Sequence, residues 1–121
     1  MPASVHSGDG LPVHHRQVAP KLAAVPRSSI ERRLSGVAER LKQLRGELVV
    51  VDEQLAHLAD AADEMRLRAL VSETPLADRE HHEAERHADA MRRRRAEVVA
   101  TIAELEAAQD ELLDRLVAER R

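Results

Sequence analysis

From Ile30 onward, apolar residues recur in alternating steps of four and three. The run is Ile30, Leu34, Val37, Leu41, Leu44, Leu48, Val51, Leu55, Leu58, Ala62, Met65 and Ala69, with no polar member. These steps put every member on one stripe of an α-helix, and a run this long is the mark of a coiled-coil seam. Ser28 and Ser29 stand just before it, and serine caps a helix start by accepting a bond from a free N–H. Together these signals predict a helix over 29–71.

The stripe breaks at Ser72-Glu73-Thr74-Pro75. Threonine is a good cap, and proline is favoured at the first helical position because no N–H is needed there. Pro75 also pushes Thr74 out of the helical conformation. The pattern predicts a turn over 72–75 and a second helix over 75–120. The second stripe is Ala77, His81, Ala84, Ala88, Met91, Arg95, Val98, Ile102, Leu105, Gln109, Leu112 and Leu116, nine of the twelve apolar.

A short connection between long helices favours an antiparallel hairpin. One register satisfies both stripes, with facing residue numbers that sum to 146. It sets Ile30 against Leu116, Leu34 against Leu112, Leu41 against Leu105, Leu44 against Ile102, Leu48 against Val98 and Leu55 against Met91. It also centres the turn on Glu73, where the capping residues place it independently. Flanking charges expected to meet are Arg66 with Asp78, Arg68 with Glu80 and Asp52 with Arg92, with Arg33 beside Arg115 as a mismatch. The expected fold is thus all-α: residues 28–121 form a two-helix antiparallel coiled-coil hairpin. Its open half is lined by Leu, Ile and Val. Its turn half is slender and less stable, lined by Ala62, Ala69, Ala77, Ala84, Met65 and His81.

Several apolar residues fall off the seams. Val49 and Val50 lie off the first, and Ala96, Val99, Ala103, Leu113 and Val117 lie off the second. A hairpin alone leaves them in water, and exposed apolar patches tend to mark contact surfaces. They are the expected self-association surface, which would pair two hairpins into a four-helix bundle. At the tip, Leu67, Leu70, Val71 and Leu76 surround Glu73, with Asp78 behind. These six form a candidate surface for a protein partner, against the simpler reading that they pack across the turn.

Composition agrees with the pattern. The 121 residues include no Phe, Tyr, Trp or Cys, with 43% hydrophobic and 34% charged. Without aromatic bulk a multilayered core is hard to build, whereas such mixtures are typical of long helices. There is no cysteine for a disulfide or thiolate metal site. No apolar run approaches the ~18 residues of a membrane span, and the N-terminus lacks the pattern of a signal peptide. A cytoplasmic location is the expectation. Residues 1–27 hold four of the five prolines and two of the four glycines, and show no period. They read as a disordered tail, and its His6, His14 and His15 carry no expected metal role.

Candidate chemistry is thin. His81, His82 and His87 cluster with Glu80, Glu83 and Glu85. Glu83 with His87 and Asp78 with His82 have the i, i+4 spacing of a metal-holding pair. A site needs further converging ligands, so a solvated charged face is expected, with His81 half-buried at the seam as a pH-responsive point. Arg92–Arg95 are four consecutive arginines, which a helix spreads around its circumference. Net charge is −3, and there is no aromatic interleaving, so nucleic acid is not an expected partner. Arg95 points at the seam opposite Val51 and must snorkel. No phosphate loop, nucleophile elbow or HExxH motif occurs. The expectation is no enzyme, no cofactor and no metal.

The tip, Thr74-Pro75-Leu76-Ala77-Asp78, resembles the hairpin domain of bacterial transcript-cleavage (Gre) factors, whose tip reads Gly-Asp-Leu-x-Glu. Leu76 matches, and Asp78 stands for the glutamate. Pro75 replaces the first acidic residue, so the paired carboxylate is missing unless Glu73 substitutes, and the family's globular domain has no counterpart. The likeness covers about ten residues. It implies a hairpin that binds RNA polymerase without cleavage. In its arginine and alanine usage the chain also looks like small coiled-coil proteins of high-GC bacteria. The main functional expectation is a non-enzymatic interaction or adaptor module for a protein partner; the alternative is a transcription regulator that binds polymerase through the tip.

Overall fold

The computed structural model describes residues 26–120. Two helices account for nearly all of them: α1 (Arg27–Ser72) and α2 (Pro75–Glu119), joined by Glu73 and Thr74 alone. They pack against each other along their length as an antiparallel hairpin. Their 46 and 45 residues give each a length of about 70 Å at ~1.5 Å per residue. The expected tail, apart from Pro26 and Arg27, lies outside the described residues, as do His6, His14 and His15.

Both seams fall where the four–three pattern puts them. All twelve seam residues of α1 are buried or half-buried, and so are eleven of the twelve in α2. The most enclosed are Ile30, Leu41, Leu44, Val51 and Ala62 on α1, with Ala88, Val98 and Leu112 on α2. The flanking ion pairs agree with the register. Arg45–Glu106 bridges the helices on one side at 2.9 Å, and Glu47–Arg94 bridges them on the other. The two pairs are offset from the 146 register by equal steps in opposite directions, as the two flanks of one antiparallel seam require.

Arg95 is the exposed seam residue. Its Nε donates to Asp52 Oδ1 at 2.6 Å, while Val51, which it faces, is 4% exposed. The guanidinium reaches water and a carboxylate together, which is how a long cation escapes a seam. At the turn half, Ala62 and Ala88 are as fully enclosed as the leucines of the open half. Small residues there let the helices close on each other. Each still removes less apolar area from water than a leucine would, at ~25 cal/mol per Å².

Three expectations need correction. The start of α1 is set by Pro26, whose carbonyl accepts from the N–H groups of Ser29 and Ile30. Neither Ser28 nor Ser29 caps, because both already lie inside the helix, and no side chain caps this end. The helix ends also move slightly, α1 running to Ser72 and α2 stopping at Glu119. Two of the expected charge pairs are replaced and the third, Arg66 with Asp78, is not among the ion pairs of the described residues: Arg68 turns to Glu64 on its own helix, Arg92 to Asp89, and Asp52 takes Arg95. Each exposed pair is worth only ~0–1 kcal/mol, so a long arginine settles on whichever carboxylate costs it least order.

Gly36 and Gly46 sit inside α1 with nothing near the position of an added Cβ. Glycine costs about 1 kcal/mol against alanine within a helix. Replacing both with alanine should raise unfolding free energy by about 1–2 kcal/mol, as read by urea denaturation. Leu41→Ala, at 1% exposure, should lower it by about 2–5 kcal/mol.

Candidate functional site

The tip begins with a backbone constraint. Glu73 adopts φ 52°, ψ 37°, the left-handed region, where its N–H donates to the Ala69 carbonyl at 3.1 Å. This single bond closes α1. Thr74 is extended, and its Oγ1 accepts from the Ala77 N–H at 3.2 Å. Pro75 opens α2, and Asp78 lies in its first turn, where a carboxylate complements the helix dipole. Two residues therefore reverse the chain, which leaves the neighbouring apolar side chains little to pack on. Leu67, Leu70 and Leu76 are over half exposed, and Val71 is 85% exposed. Packing across the turn does not cover them.

The off-seam residues separate into two sets. Val49 lies four residues after Arg45, on the flank marked by Arg45–Glu106. Val99, Ala103 and Leu113 lie seven and three residues before and seven after Glu106, so helical periodicity sets them on that same flank. Ala96 and Val117 neighbour Val99 and Leu113 there. All six are exposed. Val50 lies three residues after Glu47, on the opposite flank marked by Glu47–Arg94, and is 52% exposed. The single self-association stripe expected from sequence is thus a six-residue stripe on one flank and a lone valine on the other.

Two grooves open along the Val50 flank. The larger, about 460 Å³, lies in the open half over Val37, Leu105 and Leu112, with Arg33, Arg40 and Arg115 around it. The smaller, about 260 Å³, lies towards the turn over Met65 and Ala84, with Glu80, Glu83 and His87 around it. Their cause is legible in the residues. Ala108 and Gly36 flank the first groove and Ala61 the second, and each is too short to cover the seam beside it. The sequence reading passed over these grooves, although small residues at flank positions were the available signal. The Arg33 and Arg115 mismatch falls at the first one, where Arg115 turns aside to Glu111 at 3.2 Å.

In the histidine cluster His82 and His87 are exposed, and His81 is half-buried on the seam. The His81 and His82 rings stack with centroids 5.5 Å apart, and His81 Nε2 lies 3.9 Å from Glu85 Oε1. Among the described residues no group of three or more His, Asp or Glu side chains converges as a metal site. Of the four consecutive arginines, Arg92, Arg94 and Arg95 each meet a carboxylate. No described helix is long and apolar enough to cross a membrane. Comparison with family models, with curated proteins and with solved structures finds no match.

The cap geometry predicts opposite responses at adjacent positions. Glu73→Gly should raise unfolding free energy by up to about 1 kcal/mol, because glycine holds a positive φ without strain. Thr74→Ala should lower it by about 1 kcal/mol through loss of the cap. Paired denaturation curves read both.

Proposed function

We propose that this chain is a non-enzymatic interaction hairpin, an adaptor that associates with a second copy and presents its tip to a protein partner. The observation that carries the reading is the bare apolar tip: Leu67, Leu70, Val71 and Leu76 stand in water around a turn held rigid by Glu73 and Thr74. Exposed leucines on a fixed backbone bind with little ordering cost. Glu73 and Asp78 beside them add a choice of partner by charge. The grooves are shallow troughs between two helices, a geometry that suits another helix better than a small substrate, which needs enclosure. A cytoplasmic setting is part of the same proposal.

The polymerase-binding alternative rests on the same tip, with its Leu76 and Asp78, and one experiment addresses both. Wild-type chain and a Leu70→Ser/Leu76→Ser variant are immobilised and exposed to purified bacterial RNA polymerase and, separately, to native cell extract. The adaptor reading expects a protein retained by wild type and lost with the variant. Retention of purified polymerase would favour the alternative. Equal retention of every protein by wild type and variant would remove the tip from either role.

A further inference from the structure

The two grooves on the Val50 flank differ in charge, and the difference has direction along the hairpin. The open-half groove carries Arg33, Arg40 and Arg115 against one carboxylate, Glu111. The turn-half groove carries Glu80 and Glu83 with His87. Along α1 their centres are separated by roughly 40 Å at ~1.5 Å per residue. The midpoint between them falls within about a turn of Val50, the one large apolar residue exposed on this flank between the two grooves.

We propose that a second copy of this chain packs antiparallel against this flank, about a two-fold axis at Val50, so that each basic groove lies over the other copy's acidic groove. This rests on the reading that the hairpin self-associates, and it moves that role from the six-residue stripe to the opposite flank. The stripe and the tip are then left for a different protein.

Charge decides the orientation. A parallel pair would set the three-arginine groove against itself and the Glu80/Glu83 groove against itself. Like charges directly opposed across an interface cost affinity. The antiparallel pair brings Arg115 over the second copy's Glu80, and Glu104 near the second copy's His87. At the centre Val50 meets Val50, as an isologous contact requires of a residue on its axis. Near it, Arg94 approaches the second copy's Glu97. Shape favours the same arrangement, because the seams lie open only where Gly36, Ala108 and Ala61 fail to cover them. Two facing troughs with apolar floors can exclude water that a single hairpin leaves on Val37, Leu105 and Met65.

The chain has no cysteine, so single cysteines can be introduced cleanly on exposed sites. Val50→Cys and Val49→Cys chains are each treated with a short bis-maleimide and separated by denaturing electrophoresis, and the association state of the untreated wild type is read by sedimentation equilibrium. The expected result is a covalent dimer from Val50→Cys and single chains from Val49→Cys, one residue away on the other flank. If Val49→Cys joins and Val50→Cys does not, the second copy sits on the stripe; the inference falls while self-association stands. If neither joins and the wild type is a strict monomer, both fall. A charge test is independent of the cross-link. Arg115→Glu should weaken association by roughly tenfold or more, and adding Glu80→Arg to the same chain should restore most of it. An association indifferent to Arg115→Glu overturns the proposal, and so does one that Glu80→Arg fails to restore.

Discussion

The structure depends on one antiparallel seam in which each apolar residue of α1 has a single facing position on α2. The chain has no aromatic residues, and the buried apolar residues among those described all lie in this seam. Stability therefore comes from many small burials in series, from Leu41 and Leu44 through Val51 and Val98 to Ala62 and Ala88. Shifting the register by one residue would rotate every member out of contact. The chain reversal is correspondingly strict: Glu73 takes a left-handed conformation unusual for its type because the seam leaves only two residues to turn in.

The same seam decides what the surface can do. A two-helix hairpin has two flanks and a back, and here the flanks are unlike. One carries exposed Val49, Val99 and Leu113 around the Arg45–Glu106 bridge. The other carries Val50 and two troughs of opposite charge. Among the described residues both troughs are open to solvent. The hairpin's distinct features are surfaces: an exposed apolar stripe on one flank, two troughs on the other, and the tip.

Much of the fold was legible in the sequence because a coiled-coil pattern repeats its message. Twelve apolar seam residues in α1 and the Thr74-Pro75 signal converge on one hairpin and one turn, and a single ambiguous residue cannot undo them. What was not legible lies where energies are small or contacts local. The start of α1 follows Pro26 and its carbonyl, a feature weaker in sequence than the neighbouring serines. The ion pairs are set by arginines that have several carboxylates within reach at nearly equal free energy. The tip residues were legible as apolar positions around the turn, but whether they pack across it or stand in water was open until the two-residue reversal was seen. The division of the stripe became visible only once Glu47–Arg94 and Arg45–Glu106 marked the two flanks. The troughs were recorded in the sequence as Gly36, Ala61 and Ala108, small residues whose effect depends on which seam neighbours they leave uncovered.

The most direct test of the hairpin itself is a distance between spin labels on Ser35→Cys and Asp110→Cys, measured after dilution with excess unlabelled chain. Both residues are exposed near the open end. Helices packed side by side, with axes ~8–10 Å apart, predict a short label distance, about 25 Å or less once the linkers are included, and it persists on dilution. A distance near the roughly 110 Å of one continuous helix at ~1.5 Å per residue would contradict the account. So would a short distance that vanishes on dilution, because the two helices would then be pairing between chains and not within one.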